Sequence, residues 1–276
     1  MLAAPAKEAE FVNEISYASS GKVTVWETSE WRPLKTLEIG EEYVTSTGWN
    51  EDGSLLLVGT ANEDSADLNT LHATVRVYDV DNEFKLLGET KFEGVPVSLA
   101  ACGENIAIGC EDSFRLMRFK IDHDRRDQAS GMAIDLKHRI AISSTPVHLN
   151  YSPTGDRLVV AQNLRDVFVV YDSETAKELV VGRASREVRS VCFSPNGNRI
   201  AVVGNDSRVY LCDAASGSQL LELKGARLSA GTNPVNASVK FSPDGKRIAV
   251  NATSGKIKVW EIKGEIPGLT VRTIVD

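Results

Sequence analysis

Residues 241–261 read FSPDGKRIAVNATSGKIKVWE: the end of one apolar stretch, a Ser-Pro-Asp-Gly turn, a second apolar stretch, a polar turn and a third closed by Trp-Glu. Short runs rich in β-branched and aromatic residues, bounded by Gly, Pro, Asn and Asp, predict β-strands joined by tight turns. Pro presets φ near about −65° and Gly accepts positive φ, so Ser-Pro-Asx-Gly reverses the chain with little strain and sets the register of the next strand.

The same succession recurs through most of the sequence. Residues 20–27, SGKVTVWE, repeat SGKIKVWE of residues 254–261 almost letter for letter, so the chain opens partway through a unit, with an outer strand expected at 34–39. A second unit has the turn WNEDG at 49–53, strands at 55–59 and 74–79, and a polar insertion at 61–73. The third, 97–109, keeps strand, turn and strand but carries Ala-Ala where Ser-Pro is expected. Its next strand is 114–120, and a charged segment, 122–131, separates that from an outer strand at either 132–136 or 139–142. YSPTG at 151–155 and FSPNG at 193–197 open the fourth and fifth units, with third strands at 167–172 and 209–213; the sixth is 241–261 itself, followed by a strand at 269–275. A four-stranded unit cannot bury both faces alone, and a period of about 40 to 50 residues suits sheets stacked face to face around an axis.

FSPDG, FSPNG and YSPTG, each followed about 19 residues later by Trp-Glu, Cys-Asp or Tyr-Asp, resemble the WD-repeat β-propellers. The resemblance implies an all-β fold, a β-propeller of about six to seven four-stranded blades with the first incomplete. It implies one domain over residues 1–276, with blades near 1–39, 43–92, 95–142, 146–181, 187–224 and 235–275. The family's Gly-His entrance is absent: Gly40, Gly94, Gly182 and Gly225 keep the glycine without the histidine, and Asp206 alone stands where the family's buried Asp would. Apolar packing is therefore expected to hold the blades together.

Composition narrows this picture. At 276 residues with 42% hydrophobic and 25% charged side chains, the protein has the material for a sizeable core. A formal charge of −7 disfavours general nucleic-acid binding, which needs a basic surface. Four cysteines without CxxC spacing, Cys102, Cys110, Cys192 and Cys212, read as reduced thiols. No apolar run approaches the roughly 20 residues of a membrane span, and the first ten residues lack a secretory pattern. An intracellular protein, cytoplasmic or nuclear and without a membrane partner, is the expectation.

Candidate chemistry is sparse. His72, His123, His138 and His148 show no metal-ligand spacing, and no nucleophile elbow, P-loop or dinucleotide fingerprint occurs. His148 aligns with Ser190 and Ser238 in the innermost strands, as a packing residue or as a ligand in a central channel. Neither an enzyme nor a cofactor is expected. The resemblance implies that loops of one face carry partner-binding residues, and Arg165, Arg183, Arg186, Arg189 and Arg208 would gather there. They form either a basic patch for carboxylates or phosphates or an ordinary solvated charge mixture. Two insertions, 61–73 and 226–234, fall on the same face, and Trp31 stands outside the repeat positions. The function expected is a non-enzymatic scaffold holding other proteins or peptides within a larger assembly. The alternatives are a channel hydrolase or lyase, or a nucleoprotein subunit using the arginines.

Overall fold

A computed structural model describes residues 21–27, 32–40, 42–61, 72–110, 113–121, 132–142, 146–162, 165–184, 187–204, 208–223, 238–251, 257–263 and 270–275. Every regular element among them is a β-strand. A two-stranded sheet comes first, β1 (Gly21–Glu27) with β2 (Arg32–Gly40). Five four-stranded sheets follow. They are β3 (Tyr43–Trp49), β4 (Leu55–Ala61), β5 (His72–Asp79) and β6 (Lys85–Glu93); then β7 (Ser98–Cys102), β8 (Asn105–Gly109), β9 (Ser113–Ile121) and β10 (Met132–Ala141). Next come β11 (Pro146–Tyr151), β12 (Arg157–Gln162), β13 (Val167–Asp172) and β14 (Glu178–Arg183). The last two sheets are β15 (Val188–Phe193), β16 (Arg199–Gly204), β17 (Val209–Asp213) and β18 (Gln219–Leu223), and β19 (Val239–Phe241), β20 (Arg247–Asn251), β21 (Ile257–Lys263) and β22 (Thr270–Val275). Each sheet runs in sequence order, as a meander of antiparallel hairpins.

The protein divides into two compact units, Met1–Glu111 with Arg115–Arg139, and Asp112–Phe114 with Ile140–Asp276. In both, the second strand of a sheet is buried on both faces: β4 at every residue, β12 and β16 at every residue but the first. Such a strand does not alternate apolar with polar, because each face packs on another sheet. The cores lie accordingly between consecutive sheets. Val23 and Val25 of β1 meet Leu56 and Val58 of β4, while Leu55 and Leu57 meet Leu99, Ile106 and Ile108 of the next sheet. In the second unit Val159 and Phe168 pack on Val191 and Ile200, and Ala201 and Leu211 pack on Ile248 and Trp260. Each such buried aliphatic contributes about 1.5–3 kcal/mol relative to exposure.

The turns explain the recurring letters. The hydroxyl oxygens of Ser152, Ser194 and Ser242 accept the N–H of Arg157, Arg199 and Arg247 at 3.0, 3.0 and 2.9 Å. The same hydroxyls donate to Asp156, Asn196 and Asp244. Gly155, Gly197 and Gly245 close the turns at φ of 72°, 71° and 69°, a conformation that side chains resist. In the third unit, however, Ala100 and Ala101 lie within β7, and the reversal is a two-residue hairpin at Gly103-Glu104. The letters differ there because the turn is shorter. The outer strand of that sheet is also one strand, β10, covering both of the segments expected as alternatives.

Two irregularities recur that the letters do not announce. Thr45, Val147 and Arg189 are extra residues in the innermost strands, between register pairs such as Val188↔Gly204 and Ser190↔Val203. Leu34, Leu87, Leu179, Leu220 and Ile274 are extra residues in outer strands, opposite Trp26, Tyr78, Tyr171, Cys212 and Trp260 or beside them. Such bulges bend a strand and re-aim the side chain that has no opposite number.

Gly182 is buried in β14, and a Cβ there would lie 2.0 Å from Phe168 Cζ. Gly182→Ala should therefore destabilise by about 1–3 kcal/mol, read as a lower urea midpoint at unchanged slope. A second prediction concerns the Asp that closes a third strand. Backbone and hydroxyl hydrogen bonds from Thr175 hold Asp172 below the usual carboxylate range, and the Ser216 hydroxyl and N–H do the same for Asp213. A depressed folded pKa means stability that is present above the unfolded value of about 3.9 and lost as pH falls through the folded one. The unfolding midpoint should fall between about pH 5 and pH 3, and fall less in the Asp172→Asn/Asp213→Asn double variant.

Candidate functional site

The expected arginines lie in the second unit, where backbone hydrogen bonds connect two sheets. Arg165 and Asp166 link β12 to β13; the Asp166 carbonyl accepts the Ala184 N–H and the Arg165 carbonyl accepts the Val188 N–H, both at 2.7 Å. Val188 is opposite Gly204, whose N–H donates to the Arg208 carbonyl at 3.2 Å. Arg183 closes β14 opposite Val167. The fold thus brings Arg165, Arg183, Arg189 and Arg208 to one end of two neighbouring sheets, while Arg186 lies outside the described residues.

Arg183, Arg189 and Arg208 stand beside carboxylates. Arg183 pairs with Asp166 at 3.2 Å, Arg189 with Glu187 at 2.9 Å and Arg208 with Glu222 at 3.4 Å. Arg183 and Arg208 are exposed, so their pairs contribute little to stability. Arg189 differs, because as the bulged residue of β15 its side chain is only 13% exposed. The surface is a mixture of both signs. Residues 62–71 and 224–237, which hold most of one insertion and all of the other, lie outside the described residues, as do Trp31, Asp206, Gly225 and the charged segment 122–131.

His148 follows the bulge of β11, opposite Ala161. Its Nδ1 is shielded and has no hydrogen-bond partner among the described residues. Burial, with the nearby Lys240 charge, pushes its pKa down to about 3 against a backbone hydrogen bond at Val191, so the ring is neutral at ordinary pH. Among the described residues no three His, Cys, Asp or Glu side chains gather to hold a metal ion. The level of His148 is occupied in other sheets by serines that clasp the next strand. Ser46 Oγ donates to the Pro96 carbonyl at 3.1 Å, and Ser190 Oγ accepts the Val239 N–H at 3.2 Å.

Sequence reasoning missed two interior cations at one repeat position in the first unit. Arg76 donates to Glu42 at 2.6 Å and to the Thr60 hydroxyl at 3.1 Å. Burial would raise the Glu42 carboxyl, but the bonds from Arg76 and Thr60 outweigh it and hold the carboxyl below its usual range. Arg115 is buried, donates to Cys110 Sγ and to the Glu93 carbonyl, and lies over the Phe92 ring. Both cations are used inside the sheet stack. Matching Val-Arg-Val-Tyr of β5 with Phe-Arg-Leu-Met of β9 was the signal that could have found them.

Comparison with known proteins agrees with this repeat architecture. Residues 149–229 match the Anaphase-promoting complex subunit 4 WD40 domain, and residues 219–261 match the WD domain, G-beta repeat. Residues 149–261 therefore carry WD repeats, in a divergent form. Its relatives include the periodic tryptophan protein 2 homolog of Caenorhabditis elegans, 22% identical over 89% of the WD-repeat chain and 26% of the relative. The serine-threonine kinase receptor-associated protein of Mus musculus is 23% identical over 89% of this chain and 62% of its own length. The U3 small nucleolar RNA-associated protein 18 homolog of Arabidopsis thaliana is 27% identical over 54% of this chain and 25% of its own. The WD-repeat chain therefore spans less than two thirds of these relatives. A solved structure, the crystal structure of the mitotic checkpoint complex, superposes with a TM-score of 0.65 at 20% identity, covering 93% of this chain and 74% of the other. The fold is a β-propeller.

Within the WD-repeat protein the arginines should separate by burial. Arg189→Ala should cost about 1–2 kcal/mol, since it removes a part-buried counter-charge 2.9 Å from Glu187, whereas Arg183→Ala should stay within about 0.5 kcal/mol. Urea unfolding of the two variants side by side checks the order.

Proposed function

We propose that this WD-repeat protein is a non-enzymatic scaffold that holds other proteins or peptides as a subunit of a larger intracellular assembly. The observation that carries the reading is the recurrence of one sheet unit through the sequence. Its turn serines, interior arginines and inner-strand serines are engaged in joining strands and sheets. A frame of this kind presents many loop ends at fixed separations, which suits contact with several partners better than chemistry at one centre. WD-repeat families are generally non-enzymatic, and the names of similar proteins speak of a complex, a receptor-associated protein and a nucleolar RNA-associated protein. Arg165, Arg183, Arg186, Arg189 and Arg208 form part of the partner-binding end in this reading, as a charge-mixed rim for a protein.

The reading is tested by recovering the tagged protein from its native extract with and without cross-linking. A protein partner retained in fixed ratio through a salt wash is expected. Recovery of the tagged protein alone from cross-linked and uncross-linked extract, or of nucleic acid in place of protein, would overturn it.

A further inference from the structure

The second unit contains two successive contacts between turns that open with Ser-Pro and close with Gly, 152–155 with 194–197 and 194–197 with 242–245. In the first, Arg157 reaches from its own sheet to the next. Its Nη2 donates to the Gly197 carbonyl at 3.0 Å, its guanidinium lies 5.2 Å from the Phe193 ring centre, and Asp156 stands 3.7 Å from Nε. Arg199 holds the same place in the following sheet, with Phe241 and Gly245 in the places of Phe193 and Gly197. There the carboxylate neighbour has become Asn198, and among the described residues the Arg199 guanidinium makes no hydrogen bond or ion pair. Between the two turns lies a cleft of about 260 Å³, lined by Ser194, Pro195, Asn196, Arg199, Phe241, Asp244 and Gly245.

The polar atoms of this cleft are unevenly committed. Asn196 Oδ1 accepts from Ser194 Oγ and from the Asn198 N–H, which leaves its NH₂ as a donor. Asp244 Oδ1 accepts from Ser242 Oγ at 2.6 Å and from the Lys246 N–H at 2.9 Å. What remains is the half-buried Arg199 and the Asn196 NH₂, both from the 194–199 turn, with the Pro195 ring and Phe241 beside them and the second carboxylate oxygen of Asp244 on the facing turn. A planar fork of donors in a partly desolvated cleft suits a carboxylate, which can take two parallel N–H bonds. We infer that the cleft between the 194–197 and 242–245 turns receives a carboxylate of a protein partner, held by Arg199 with Asn196. The occupant is an acidic side group or a free C-terminus, which share this chemistry. As a docking point the inference rests on the scaffold reading, but carboxylate binding can be measured on the isolated protein.

The test follows, by NMR of the whole protein, the backbone amide signals of residues 194–199 and 242–247 together with the Arg199 Nε–Hε signal. The probes are acetyl-Ala-Glu-Ala-amide, acetyl-Ala-Ala-Ala with a free C-terminal carboxylate, the neutral acetyl-Ala-Gln-Ala-amide, and inorganic phosphate. A saturable shift with one or both carboxylate peptides is expected, and which of them produces it identifies the source. The Gln peptide should give none and phosphate a weaker one. Arg199→Gln should abolish binding with an unchanged thermal midpoint, since that side chain joins no internal bond. Asn198→Asp, which restores the carboxylate found beside Arg157, should weaken binding several-fold. Absence of saturation with both carboxylates, an equal response to the Gln peptide, tighter binding of phosphate, or survival of binding in Arg199→Gln would overturn the inference. Those results would leave the scaffold reading to its own test, retention of a partner from extract.

Discussion

A meander of four short strands has two faces and too little mass to cover either, so each sheet here is stable only through its neighbours. The second strand shows this most directly: Leu56 and Leu57 are adjacent in β4, point to opposite faces and are both fully buried. One faces the layer around Val23 and Val25, the other the layer around Ile106 and Ile108. Removing apolar volume from such a strand weakens two inter-sheet layers together, and the cost at each depends on how far that layer can close the gap. The polar features are arranged around this requirement. Serines at Ser46 and Ser190 tie innermost strands across the layers without placing an unpaired group within them.

Charge is handled in the same way. Arg76 enters the interior with Glu42 and Thr60 around it, and Arg189 with Glu187. Arg157 spans two turns and satisfies its guanidinium on a carbonyl and an aromatic face. Arg199 stands apart because Asn198 replaces the carboxylate that precedes Arg157, although its backbone is bonded in the same way as that of Arg157.

Much of the fold was legible because its determinants are local. The turn residues interact within five positions, and an Asp after Tyr171 or Cys212 closes a strand through its own bonds to the next turn. The shortened reversal at Gly103-Glu104 was misread because its alanines resemble a substituted turn when they are strand residues. Bulges were invisible because one additional residue leaves the apolar pattern on either side intact. Of the candidate site, the arginines could be gathered from topology alone. Their carboxylate partners could not, since Asp166 reaches Arg183 and Glu222 reaches Arg208 only through strand register. The cleft at Arg199 was beyond sequence reasoning, because it depends on what a turn of the following repeat offers.

The extra residues in the outer strands, Leu34, Leu87, Leu179, Leu220 and Ile274, carry one more consequence. A sheet edge with an unbroken ladder of N–H and C=O groups is a template on which further molecules can polymerise. Here the ladder is interrupted at a similar level in the outer strand of five sheets, so an incoming strand finds matching partners over only a short stretch before its register fails. Leu34 and Leu179 are exposed for this reason, as residues that interrupt the edge. Among the described residues every regular element is a strand, and these breaks fall where edge-to-edge pairing would start.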